Sequence, residues 1–161
     1  MDQGLALLIL LIAGIPTLVA LFVVLEVLFP NTVERTRQVA EEVAGRSFVV
    51  GLVNGIFLGA VMLALFALGE SAGSQFFNLL GLLVLAVLTL GVTFGLSGMV
   101  QLIGARLSPE GSELRRTTLG AVALILACLT PFVGWFGLLP YVALHGLGAF
   151  VIARFRRDRN S

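Results

Sequence analysis

Residues 129–150 read LTPFVGWFGLLPYVALHGLGAF and form the middle of a 37-residue run, Thr117 to Ala153, without a formally charged side chain. The run begins directly after Arg115 and Arg116 and ends directly before Arg154. A helix rises about 1.5 Å per residue and the hydrocarbon layer of a bilayer is about 30 Å thick, so one crossing takes roughly 20 residues. One helix through the whole run would be roughly 55 Å long, nearly twice what a membrane covers. The run must fold back or hold two spans, and that choice sets the architecture.

The rest of the chain supports a membrane reading. Of 161 residues, 58% are hydrophobic and 12% charged, and the mean hydropathy is +1.07; soluble domains carry about 25% charged residues. All ten basic residues are arginine, and the net charge of +1 is too small to point to a nucleic-acid partner. The single cysteine, Cys128, can form no intrachain disulfide and reads as a small buried hydrophobe. One histidine and one cysteine make no metal site, no phosphate-binding loop is present, and no cofactor is expected. The opening MDQGLALLILLIAGIPTLVALFVVLEVLF lacks the cationic n-region of a signal peptide, and its apolar run exceeds the usual h-region of about 7–15 residues. It reads as a retained first span.

Three spans precede the uncharged run, at about 4–29, 48–69 and 76–104, with a polar break at Glu70 to Gln75 and a kink available at Pro16. The arginines decide how the uncharged run crosses, because cytoplasmic loops carry an excess of Lys and Arg. Arg35, Arg37 and Arg46 lie between spans one and two, Arg106, Arg115 and Arg116 come after span three, and Arg154, Arg156, Arg157 and Arg159 close the chain. An even number of crossings after Thr117 puts all ten on one side; a single crossing strands the basic tail outside. The expectation is a helical hairpin: Thr117 to about Pro131 ascends, Phe132 to Leu139 turns, and Pro140 to Ala153 descends. With the shoulders of the turn included, the spans run about 117–134 and 136–153. Trp135 and Phe136 suit an interfacial aromatic belt, and Pro140 suits a first helical turn. Each arm is at or below the usual spanning length, so a re-entrant hairpin is the alternative to two short spans. The fold class is thus an all-α polytopic transmembrane bundle of about five spans, forming one domain over 1–161. Its N-terminus is outside and its C-terminus is in the cytoplasm.

Between spans one and two, Pro30 breaks the helix and Asn31 with Glu34 resembles a capping box. Val33, Thr36, Val39, Ala40, Val43 and Ala44 recur at helical spacing, Arg37 and Glu41 stand i,i+4, and Gly45 is a C-terminal stop. A short cytoplasmic amphipathic helix is expected at about 31–45, as a connector, a membrane-surface helix or a docking site for a cytoplasmic partner.

Small residues at four-residue spacing let helix backbones approach closely. Gly51, Gly55 and Gly59 on the second span and Gly91 and Gly95 on the third have that spacing, so they are expected to pack helices within the bundle or against another subunit. Thr89, Thr93, Ser97 and Gln101 recur every four residues as a polar stripe. With Asn54 and His145 they form a candidate polar pathway, which interhelical hydrogen bonding would explain equally well. Glu26 and His145 are the two ionisable residues within spans; Glu26 is one turn from the cytoplasmic end and reads as a boundary residue. His145 reads as a hydrogen-bonded histidine in the bundle.

Two resemblances bear on function. GLSG at 95–98 followed by His145 in ALHGLG is similar to the serine motif and late histidine of rhomboid intramembrane proteases. That resemblance implies Ser97 as nucleophile, His145 as base and Asn54 as oxyanion donor. Rhomboids start a helix at the serine and carry a histidine four residues before the asparagine; here the serine is mid-span and position 50 is valine. Separately, FPNTVERTRQVAEEVAGRSFVVGLVNG and TPFVGWFGLLPYVALHGLGAF resemble a multi-helix membrane domain of bacterial bactofilin-associated, polymer-forming proteins. The likeness covers roughly 29–150 and rests on glycines, prolines and one aromatic. It implies a membrane anchor or organiser with no catalytic residues to carry over. The expected role is therefore a non-catalytic scaffold, anchor or accessory subunit of a bacterial inner-membrane complex. Its partners would be lipids and other membrane subunits or a second copy. A small transporter or channel is the alternative, and a rhomboid-like protease a remote one.

Overall fold

A computed structural model describes residues 3–130 and 132–157, with side chains over 13–130 and 132–155. It is helical throughout, with no strand among the described residues: α1 Gln3–Leu28, α2 Pro30–Glu42, α3 Ala44–Ala72, α4 Gln75–Leu107, α5 Glu113–Cys128 and α6 Leu139–Arg157, with a π-helical segment Val133–Leu138 leading into α6. Three helices are long and apolar enough to cross a membrane, Ala44–Ala72, Gln75–Leu107 and Val133–Phe155. That is consistent with a membrane protein. α1 is 26 residues long with Glu26 as its one formal charge.

The α1–α2 junction is a sharp corner. Pro30, the first residue of α2, has no amide hydrogen and a fixed φ, so it starts a helix but cannot continue one. The two helix axes differ by 104°. The expected capping box does not form: the N-cap is Phe29, without a side-chain cap bond, and Glu34 instead accepts from Arg37 and Gln38. Nor does Gly45 end the helix. α2 stops at Glu42, Val43 takes an extended φ of −131°, and Gly45 lies inside α3. The anticipated Arg37–Glu41 pair is present at 3.5 Å. The apolar face of α2, Val33, Thr36, Val39 and Ala40, is buried against α4 and α6. It is consumed by the bundle itself, not laid on lipid.

The α3–α4 turn is tighter than its polar sequence implied. Gly73 adopts φ 60° as a left-handed cap donating to Gly69. Glu70 and Ser71 remain helical, so the connection is Gly73 and Ser74 alone.

The closing segment departs most from expectation. The turn occupies 129–132, with Pro131 outside the described residues, and Trp135 and Phe136 sit in the π-helical segment rather than in a loop. Phe132 turns the chain at φ 68°, ψ −66°, near the strained γ-turn values of about +75°, −65°. The two arms do not pack along each other. α5 lies on α4 and α1, whereas α6 lies on α3, α4 and α2. Ser47, Gly51 and Gly55 of α3 meet Gly148, Leu144 and Leu147 of α6, and Phe48 stacks on Tyr141; α6 runs back along α3. The apex is also low. Trp135 and Leu139 line the same cavity as Val92 and Leu96 of α4 and Leu18 and Phe22 of α1, and Val92 is about 25 Å along α4 from its start at Gln75. Beyond that level α3 and α4 pack on each other, through Phe66 against Gly81 and Asn78 against Gly69. The core gathers on the other side of it, around Val100, Ala121, Val39 and Ala149.

Candidate functional site

The lower bundle is held by glycines at backbone contact distance. A Cβ on Gly51 would lie 2.7 Å from the Leu144 carbonyl carbon and 2.8 Å from Gly148 N. Gly148 reciprocates against Ser47 and Gly51, and Gly95 opposes Gly146 with 2.6 Å from the added carbon to Leu147 N. α5 approaches α4 in the same way: a Cβ on Gly120 would lie 2.9 Å from Gly104 N. Of the five glycines singled out from sequence, Gly51 and Gly95 face backbone, Gly91 and Gly55 face leucine side chains at 2.8 and 3.1 Å, and Gly59 faces nothing within 4 Å. The sequence reading missed Gly104, Gly120, Gly146 and Gly148 as contact points. Gly146 and Gly148 were visible as a Gly-x-Gly pair, but a two-residue spacing is not a one-face signal on a helix. It works here because α6 passes between α4 and α3.

A buried polar chain crosses three helices. Gln101 Nε2 of α4 donates to Thr117 Oγ1 of α5 at 2.5 Å. The same hydroxyl lies 3.1 Å from Glu26 Oε2 of α1 and 3.1 Å from the Glu113 carbonyl. Glu26, Gln101 and Thr117 are 9%, 5% and 1% exposed. Glu26 is thus an interior residue rather than the boundary residue expected. The cause is tertiary: α5 folds back over the end of α1 and covers it, which spacing along α1 alone cannot reveal. Glu26 accepts from Thr117 alone among the described residues, and without that hydroxyl the buried carboxyl would bear its desolvation cost unpaired.

The remaining polar candidates do not converge. Thr89, Thr93 and Ser97 donate to the Leu85, Thr89 and Thr93 carbonyls of their own helix, and Asn54 donates to Val50. His145 Nε2 is 3.3 Å from the Ala40 carbonyl; a carbonyl only accepts, so that nitrogen carries the proton in the neutral ring. Its Nδ1 and the fully buried Ser47 Oγ have no hydrogen-bond partner among the described residues. Ser97 and His145 are therefore bonded to different carbonyls and not to each other. None of the six lines the cavities at the α1–α2 corner, below the apex or among the apex aromatics.

The charged edge of the molecule is organised by α2. Arg37 bridges Glu34 and Glu41 at 2.6 and 3.5 Å. Its guanidinium, hydrogen-bonded to Glu34, holds that carboxyl below the ordinary range against the smaller opposing push of partial burial. Arg116 closes the α4–α5 loop by donating to the Ser108 carbonyl at 3.2 Å and to the Pro109 carbonyl. The chain matches no protein-family model, no curated protein and no solved structure.

Proposed function

We propose that the chain is a non-catalytic scaffold, anchor or accessory subunit of a bacterial inner-membrane complex. In this reading α1, α3 and α4 are full spans with the N-terminus outside, and α5 with α6 re-enters from the arginine side without reaching the far face. Five complete crossings place the arginines equally well, but the low apex favours three plus a re-entrant pair. The even crossing count after Thr117 is kept, so the C-terminus remains cytoplasmic.

The observation that carries the role is the bareness of the α3–α4 hairpin. Only 6% of the apolar window of α3 and 17% of that of α4 is buried inside the chain. Along one face of α3, Gly51 is covered by α6, Gly55 is partly covered by Leu144, and Gly59 is open. The small-residue seam continues past the point where the chain's own helices stop, which is where a partner helix packs by close approach. Glu26, Gln101 and Thr117 meanwhile fasten three helices together.

Gentle solubilisation, purification through a small C-terminal tag and mass spectrometry of stoichiometric companions test this reading. Gly59→Leu should remove the companions, or dissociate a homo-oligomer, while leaving the chain folded. Gly59 is a cleaner choice than Gly55, whose substitution would also press on Leu144. A monomer without companions, unchanged by the substitution, would sink the proposal.

A further inference from the structure

The cavity at the α1–α2 corner combines aromatic rings with basic side chains. It is about 330 Å³ and is walled by Phe29 at the corner, Phe94 of α4 and Phe150 of α6, with Arg35 of α2 and Arg154 of α6 among its lining residues. The rings form a continuous ladder: Phe29 meets Phe94 edge-on at 5.4 Å, and Phe94 stacks on Phe150 at 5.5 Å. Both arginines are exposed. The neighbouring carboxylates are engaged elsewhere, since Glu34 and Glu41 both pair with Arg37. No carboxylate is within ion-pair distance of Arg35 or Arg154 among the described residues. Two guanidiniums without a carboxylate partner among the described residues thus stand beside a wall of phenyl rings, where α2 meets the bundle.

We propose that this cleft binds one anionic phospholipid from the arginine-side leaflet, its phosphodiester held by Arg35 and Arg154 and the start of an acyl chain lying along the three phenylalanines. Guanidinium forks match phosphate oxygens bidentately, and basic pockets between helices at the cytoplasmic surface suit anionic headgroups. The volume is near the lower bound of about 300 Å³ for small-molecule sites, which suits a headgroup and its first methylenes with the chain ends left in the bilayer. A free phosphate would satisfy the arginines but leave the rings facing water. A zwitterionic headgroup would bring a second cation to a site with no carboxylate to receive it. The inference rests on the membrane reading above, but not on any companion protein.

The test is native mass spectrometry of the purified full chain in detergent, titrated with dioleoylphosphatidylglycerol or dioleoylphosphatidylcholine. One phosphatidylglycerol should be retained in clear preference to phosphatidylcholine. At about 1 kcal/mol per arginine near an anionic surface, Arg35→Gln or Arg154→Gln should each weaken retention about fivefold and the double substitution roughly 25-fold. Arg106→Gln with Arg115→Gln removes the same charge elsewhere and should leave the preference intact, and lysine at both 35 and 154 should keep most of it. Equal retention of the two lipids, equal loss in the two charge-matched doubles, or displacement by millimolar inorganic phosphate would each overturn the proposal. Failure here with companions still co-purifying would leave the scaffold reading standing. A chain that does not fractionate with membranes would remove both.

Discussion

The glycine contacts between α3 and α6 permit a comparison within one helix. Gly51→Ala adds a carbon 2.7 Å from the Leu144 carbonyl carbon and 2.8 Å from Gly148 N. Ordinary heavy-atom contact begins near 3.5 Å, so α3 and α6 must part by roughly 1 Å or more. The obstacle is backbone on both helices, which cannot swing aside as a side chain can. Overpacking costs typically about 1–3 kcal/mol, and a rigid obstacle puts Gly51→Ala near the top of that range, about 3 kcal/mol. That is more than a hundredfold in the folding equilibrium. Gly59→Ala, two turns along the same helix, meets nothing within 4 Å and gains helix propensity, so it should be neutral or stabilising by up to about 1 kcal/mol. Both variants add one methyl to the same helix, so differences in detergent affinity and unfolded state largely cancel. Gly148→Ala should resemble Gly51→Ala. The double variant should cost less than the sum, because one separation of the helices relieves both clashes. The assay is reversible unfolding in mixed micelles with rising dodecyl sulfate, monitored by far-ultraviolet circular dichroism. Equal midpoints for the alanines at 51 and 59 would refute the close approach of α3 and α6.

Thr117→Val should destabilise by about 1–3 kcal/mol, because it leaves Gln101 and Glu26 buried without their shared partner; Thr117→Ser should recover most of the loss, and equal effects from the two would deny the polar chain. Cysteines at 93 and 97 should resist a water-soluble thiol reagent in intact vesicles while a cysteine at exposed Gln38 reacts from the cytoplasmic side; labelling at 93 and 97 would revive a conducting stripe. Glu34 has a folded pKa below its ordinary value of 4.5, so its pairing contributes stability above that value, lost as pH falls through the lower folded one. Arg37→Gln should flatten this acid-side slope, by less than about 1 kcal/mol for so exposed a pair, as read from unfolding midpoints between pH 3 and 6. Trp135 is the one tryptophan and reports the apex directly. With the chain inserted in vesicles, acyl chains brominated near their ends, at the bilayer centre, should quench it more than chains brominated near the headgroups, whereas quenching by iodide added only outside would show an apex at the far face.

Much of the secondary structure was legible because it depends on local chemistry: uninterrupted apolar runs longer than a bilayer, Pro30 at a corner, the period of Val33, Thr36, Val39 and Ala40. What was not legible depends on which helix meets which. Thr117 and Gln101 are ordinary polar residues at a helix start and on a stripe. They become a fastener because α5 returns along α4, and Glu26 is interior for the same reason. The capping box failed because the helix starts before Asn31: Pro30 is its first residue and Phe29 its N-cap, which places Asn31 inside the first turn and leaves Glu34 to pair with Arg37.

The depth of the closing hairpin shows a limit of a different kind. Arginine placement constrains only the parity of crossings, and a re-entrant pair and a pair of full spans have the same parity. Hydropathy does not separate them either, since the segment at 133–155 is long and apolar enough for both. In the proposed reading, what separates them is where the apex docks, and the glycine contacts of α6 bear on that. Gly146 and Gly148 let α6 fit closely between α4 and α3 at Gly95 and Gly51, and Trp135 and Leu139 line one cavity with Val92 and Leu96. By placing its close contacts with α6 at the charged end, the chain leaves the far half of α3 and α4 without a third helix of its own. In this reading, that bare half is where a partner helix would pack.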